Sequence, residues 1–256
     1  MAPQTTTQTE SGIDALVSGS VARLDVDALR ETFREQGGVV VIDDLVPPDL
    51  VDRFVTEARA LSPEVHRNYV PGQKQGGSVS RFSIDRAGAG FGDLYRSRAL
   101  RSLLDGLSGH ALLDCRPRDA HTYALYFYSQ PGDHIGWHFD TSFYRGKRYT
   151  MLLGLVDNES CHLECELHKR DAARTPEKRV FRTKPGSAIF FDGDSLWHRV
   201  TPLAEGDSER IVLTFEFVTD ARMNPWRRLV SDVKDAVAYF GFRDVFFPPR
   251  RPQPTS

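Results

Sequence analysis

From residue 111 to residue 218 the chain reads as nine short runs rich in β-branched and aromatic residues: ALLDC, TYALYFYS, IGWHFD, RYTMLLGLVD, CHLECELH, RVFRT, SAIFFDG, LWHRVTP and RIVLTFEFV. PGD, KPG, DGD and EGD segments separate several of them with turn chemistry. Strands this closely spaced leave no room for helical crossovers, so they imply antiparallel sheets rolled on one another as a barrel or sandwich. The last run distinguishes the two faces of such a roll. Ile211, Leu213, Phe215 and Phe217 share an apolar face suited to covering helices, which leaves Arg210, Val212, Thr214 and Glu216 pointing into the roll.

Helical patterns flank this region. Residues 25–36 carry Val26, Leu29 and Phe33 at helical spacing before Gly37 and Gly38, and the strand VVVID follows. PPDLVDRFVTEARAL opens with prolines suited to a helix start and repeats an apolar face through Leu50, Phe54, Ala58 and Leu61. Residues 66–90 are glycine-rich and read as a long loop with a strand at its end, a candidate lid. A third helix is expected over residues 91–107, with Gly109 helping to end it, and a fourth over 225–241, ending at Gly241 and covering the sheet or serving a dimer contact. The organisation expected is a disordered segment at 1–12, one domain over 13–246 with its β core at about 111–220, and a proline-rich tail at 247–256.

With 256 residues, 40% of them hydrophobic, the chain can bury a substantial core. A net charge of −2 without a long basic block gives no footprint for nucleic acid or anionic membrane, and small-molecule chemistry is the natural expectation. MAPQTTTQTESGI lacks the apolar core of a secretion signal, and no later stretch is long enough to span a bilayer; the expectation is a cytoplasmic protein, monomeric or homodimeric. Cys115, Cys161 and Cys165 are too few for a disulfide framework. Cys161, Cys165 and His168 in CHLECELH invite a zinc reading, but on an extended strand both cysteines share a face with Leu163 and Leu167, while His162 and His168 face away. Buried cysteines packing as small hydrophobes fit better.

Three residues carry the chemistry: His138 and Asp140 in IGWHFD, and His198 in LWHRVTP. On an extended segment His138 and Asp140 project to one side and Trp137 and Phe139 to the other, so one run supplies two ligands and a distant strand the third. Two imidazoles and one carboxylate hold ferrous iron on one face and leave the opposite positions open. His66, His110, His121, His134 and His162 fall outside this pattern and read as structural or surface groups.

On HFD, on PGSAIFFDG leading to His198, and on Arg210, the chain resembles the iron(II) and 2-oxoglutarate dependent oxygenase superfamily over roughly residues 37–220. The resemblance implies a mainly β fold with flanking helices (α+β), a double-stranded β-helix of jelly-roll, cupin-like form. It implies that His138, Asp140 and His198 bind Fe(II) and that Arg210 pairs with the distal carboxylate of 2-oxoglutarate, whose oxidative decarboxylation by dioxygen drives oxidation of a substrate. Planar guanidinium geometry suits that carboxylate. Thr150 and Tyr128 are further expected cosubstrate neighbours, and Tyr126, Arg81, Arg145 and Arg148 expected substrate contacts, the arginines favouring a carboxylate-bearing metabolite such as an amino acid or natural-product intermediate. Many relatives carry a polar side chain where Gly154 falls, and a serine or threonine where Val212 sits; both departures leave the carboxylate partners open. Halogenating relatives lack the carboxylate ligand, so Asp140 favours hydroxylation, desaturation or cyclisation. Two alternatives stand beside this reading: an iron oxygenase or oxidase of the same fold that does not use 2-oxoglutarate, and a noncatalytic β-barrel binding module.

Overall fold

The computed structural model describes the backbone of residues 5–247. Its helices are α1 (Thr5–Val21), α2 (Val26–Glu35), α3 (Pro48–Ala60), α4 (Arg81–Ala87), α5 (Phe91–Tyr95), α6 (Arg98–Ser108), α7 (Pro225–Asp235) and α8 (Gly241–Phe246), with a π-helical turn at Ala236–Phe240 between the last two. Its strands are β1 (Val39–Ile42), β2 (His66–Val70), β3 (Lys74–Val79), β4 (Leu113–Asp114), β5 (Tyr123–Tyr128), β6 (His134–His138), β7 (Arg148–Val156), β8 (Leu163–Leu167), β9 (Glu177–Phe181), β10 (Ala188–Asp192), β11 (Trp197–Val200) and β12 (Arg210–Val218). All nine strand runs between residues 111 and 218 form strands.

They join one rolled sheet in the order β1-β10-β7-β12-β5-β3-β6-β11-β8-β9, with β2 beside β3 and β4 beside β12. Every named strand pair is antiparallel, and the sheet forms the nearly closed barrel of a jelly roll. The period-two pattern of β12 sorts its faces as the sequence predicts. Ile211, Leu213, Phe215 and Phe217 pack outward in one core with Phe54 of α3 and Leu100 and Leu104 of α6, while Tyr126, Tyr128, Leu163, Phe191 and Val200 belong to a second core inside the roll. Cys161 and Cys165 are buried in that interior core, as the strand reading required.

Three expectations change. The glycine-rich stretch 66–90 is no lid loop: it folds as the β2–β3 hairpin and α4, and β3 is built into the sheet between β5 and β6. Gly77 explains part of the disguise: a Cβ there would overlap the Val65 side chain, so glycine gives Val65 its place over β3 and makes the segment look like a loop. The helix expected over 91–107 breaks at Arg96 and Ser97, where Ser97 Oγ accepts from Leu100 N at 3.2 Å and starts α6 afresh. Asp14 of α1 reinforces that start, accepting from Ser97 Oγ at 2.7 Å and Ala99 N at 3.0 Å. Finally, of the N-terminal segment expected to be disordered, residues 1–4 lie outside the described residues and the remainder enters α1. Residues 248–256 of the expected tail also lie outside the described residues. No described helix is long and apolar enough to cross a membrane.

Candidate active site

β6 and β11 lie side by side with His138 directly opposite His198, so strand pairing alone sets the imidazoles 4.2 Å apart between ring centres. Asp140 lies two residues beyond His138, past the end of β6, where its backbone N donates to Gly193 O at 2.9 Å. Its carboxylate oxygens lie 3.3 Å from His138 Nε2 and 3.9 Å from His198 Nε2. Among the described residues this is the one group of three ligating side chains able to meet at a common point.

Hydrogen bonding fixes the tautomers. His138 Nδ1 lies 2.8 Å from Gly136 O and His198 Nδ1 3.0 Å from Leu196 O; a carbonyl only accepts, so each Nδ1 donates and each Nε2 turns its lone pair to the centre. Burial, helped by the neighbouring His138, lowers the His198 imidazole to about 4 and keeps it neutral at neutral pH, as a metal ligand must be. Burial alone would raise Asp140, but His198, His138 and Arg148 hold it well below the usual carboxylate range. Trp137 and Phe139 turn away, as expected, and pack on Trp197.

An inner cavity opens beside this group, lined on its other side by Arg210, Tyr128, Leu163 and Val212. Arg210 is 1% exposed. Its Nη2 donates to Thr183 Oγ1 at 2.9 Å and its guanidinium lies 5.1 Å from the centre of the Tyr128 ring, but its Nε has no partner. A buried donor left unpaired inside a cavity is costly unless something fills the place. A carboxylate would do so, which fits a keto acid held by its far end at Arg210 with its other end toward the iron ligands.

Thr183 answers the question raised by Gly154. Residues 183–185 cross directly over Gly154, where a Cβ would overlap the carbonyl oxygens of Thr183 and Lys184. The polar group missing from β7 is thus supplied by the crossing segment. Thr183 closes the run RVFRT, but nothing in that run marked it, because it lies past the end of β9 and its proximity to Arg210 is created by the segment that crosses Gly154.

Thr150 lines the inner cavity together with Tyr128 and Arg210. Its Oγ1 lies 2.8 Å from Asp140 Oδ2 and 3.0 Å from Glu216 Oε2, and Arg148 Nε donates to the same Glu216 oxygen at 2.7 Å. Arg148, Glu216 and Thr150 therefore form a buried chain ending on the Asp140 carboxylate. Burial raises Glu216 above the usual carboxylate range against the pull of Arg148.

An outer chamber of about 990 Å³ continues from the inner cavity and shares Tyr126, His138, Asp140, Glu216 and Tyr239 with it. Phe139, Phe143 and Ile135 contribute apolar walls, and Lys234, Ala238 and Tyr239 close it from α7 and the π-turn. Tyr126 and Arg148 line this chamber as predicted, though Arg148 is committed to Glu216. Arg81 and Arg145 do not. Arg81 packs over Tyr123, whose ring belongs to the helix-side core, and Arg145 is exposed near Asp220. His121, set aside on sequence, does line the chamber, with its Nε2 3.1 Å from Asp235 Oδ1 and its Nδ1 3.3 Å from Tyr126 Oη.

Residues 122–217 match the family model of the 2OG-Fe(II) oxygenase superfamily, and residues 21–145 match that of Halogenase D. No curated protein matches the chain by sequence. Among solved structures, the epimerase SnoN in complex with Fe3+, alpha ketoglutarate and nogalamycin RO aligns with TM-score 0.65 at 15% identity, over 90% of this chain and 95% of that one. The non-heme alpha ketoglutarate dependent carbocyclase SnoK from nogalamycin biosynthesis aligns with TM-score 0.64 at 13% identity, over 88% and 90% of the two chains. A Pseudomonas putida prolyl-4-hydroxylase aligns with TM-score 0.58 at 18% identity, over 76% and 98%. At these identities the neighbours speak for the fold, and the family match spans both the ligands and Arg210. Over residues 122–217, the stretch that holds His138, Asp140, His198 and Arg210, the chain thus matches the 2OG-Fe(II) oxygenase superfamily, on the jelly-roll fold that the solved neighbours share.

Proposed function

We propose that this enzyme hydroxylates an unactivated C–H bond of a small, carboxylate-bearing metabolite, with an amino acid or a natural-product intermediate as the fitting class. The observation that carries the reaction type is Asp140. Its carboxylate occupies the third ligand position and is held there by Thr150, which leaves no protein vacancy for a halide. This supports hydroxylation over halogenation, even beside the likeness of residues 21–145 to Halogenase D.

His138, Asp140 and His198 would hold the ferrous ion, and Arg210 the distal carboxylate of 2-oxoglutarate, with Thr183 steadying the guanidinium. With both bound, iron and 2-oxoglutarate supply the oxidation, consuming dioxygen and releasing succinate and carbon dioxide as the substrate C–H becomes C–OH. The chain's own part is orientation and exclusion of water. Backbone carbonyls fix both imidazoles, Thr150 fixes the carboxylate, and the aromatic walls Tyr126, Phe139, Phe143 and Tyr239 hold the substrate against the open side of the ligand group.

The test is succinate release by the iron-loaded protein across a panel of amino acids and related acids, with mass spectrometry of the products. A product 16 Da heavier is expected, under the ordinary stoichiometry of one oxygen atom inserted. A chlorinated product in chloride buffer would reverse the choice of reaction. In the same assay Arg210→Ala is expected to raise the 2-oxoglutarate concentration needed for half-maximal rate by roughly 10- to 100-fold, with activity partly restored by excess cosubstrate.

A further inference from the structure

Lys74 is 3% exposed, lies on the wall of the outer chamber, and makes no ion pair among the described residues. Buried lysines normally sit beside a carboxylate. This one donates instead to Ala238 O at 3.2 Å and lies 3.5 Å from the centre of the Tyr239 ring and 5.0 Å from that of Tyr126. A second ammonium, Lys234 of α7, lies 5.6 Å from the same Tyr239 ring and 5.4 Å from Phe143. The acid nearest to Lys234 is Asp235 at 3.4 Å, and Asp235 is shared with His121. Arg148 is matched by Glu216 in the same chamber, and the one carboxylate beside the two ammonium groups, Asp235, is divided among Lys234, His121 and Lys74 without an ion pair to Lys74. Burial, then repulsion from Lys234, pushes Lys74 well below the usual lysine range against the pull of Asp235.

We propose that Lys74, with Lys234 across the Tyr239 ring, is the receptor for an anionic group of the primary substrate, a carboxylate carried on a compact and partly apolar body. The inference deepens the proposed function and rests on it. A carboxylate supplies the counter-charge that the buried ammonium lacks and accepts the donors that Ala238 O leaves free. Ile135, Phe139, Phe143 and Tyr126 line the same chamber and take the apolar part. Position then follows from strand register. Lys74 pairs with Ile135, three residues before His138 on β6, so the anchor is about 10 Å along the strand from the iron ligand. The substrate therefore lies with its acid at the hairpin and α7 and the bond to be oxidised several carbons away, toward His138 and Asp140.

The experiment follows the visible charge-transfer band of the anaerobic protein loaded with Fe(II) and 2-oxoglutarate. The twenty L-amino acids and a set of aromatic carboxylic acids are added in turn, each beside its primary amide. The wild-type band is expected to shift with at least one acid and, with the matching amide, only at concentrations roughly 10- to 100-fold higher. Lys74→Met, which keeps the volume and removes the charge, is expected to lose that preference while binding 2-oxoglutarate within about twofold of wild type; Lys74→Arg retains part of it. Lys234→Met, at a more exposed position, is expected to weaken the acid by a smaller factor. Amides shifting the band as well as acids, no acid shifting it, or Lys74→Met binding the acid as tightly as wild type would each overturn the proposal. Absence of the band itself in the wild type would instead remove the cosubstrate reading, and this assignment with it.

Discussion

Thr150 has one hydroxyl hydrogen and two carboxylates within reach, Asp140 and Glu216. Its worth lies in aiming the metal-binding carboxylate. Thr150→Val preserves shape and removes the hydroxyl, so ferrous iron affinity is expected to fall roughly 10- to 100-fold, with Thr150→Ser recovering most of it, as read by iron titration followed in the charge-transfer band. Equal affinity in threonine and valine forms would show that Arg148 and the two histidines position Asp140 unaided. At this scale the convergence of His138 and Asp140 was readable because strand periodicity turns HxD into a geometric statement, and β12 sends Arg210 inward by the same rule. Thr183, Lys74 and the true partner of Thr150 were not readable, since each depends on which strands or loops become neighbours in the roll.

Elements divide in the same way. Every β run between residues 111 and 218 was legible from alternation and turn chemistry, yet β3, a strand at the centre of the sheet order, was hidden by its glycines, one of which makes room for the Val65 side chain. The break between α5 and α6 was also hidden. Apolar spacing continues through residues 91–107, and the polar signal Ser97 became decisive only when Asp14 arrived from α1 to join it. Ser97→Ala leaves Leu100 N without its cap and Asp14 without its hydroxyl partner, and is expected to lower unfolding free energy by about 1 kcal/mol in a denaturant titration. An unchanged midpoint would mean that Asp14, still accepting from Ala99 N, starts α6 by itself.

Across the whole molecule, buried charge links stability to acidity. His198 titrates near 4 in the fold against an ordinary 6.5, so between these values the unfolded chain takes up a proton that the folded chain refuses. The metal-free protein is therefore expected to lose stability progressively as pH falls from about 6.5 toward about 4 and to gain nothing from this residue above that window. Thermal midpoints of chelator-treated protein at several pH values check this. Added ferrous iron should restore least at the acid end, where protons compete for the imidazole. A flat profile would mean that His198 is protonated equally in both states.

Lys234, Ala238 and Tyr239 supply the chamber's outer wall, whereas the candidate ligands His138, Asp140 and His198, with Arg210, lie between residues 138 and 210. Asn68 Nδ2 and Ser78 Oγ, both donating to Tyr239 O, and Lys74, donating to Ala238 O, fasten that wall to the β2–β3 hairpin through backbone carbonyls, contacts indifferent to which side chains the wall carries. One wall of the chamber is thereby carried by a stretch of polypeptide apart from the candidate ligand group. Sequence drift within 225–240 can retune which molecule is admitted while the oxidising centre stays as it is.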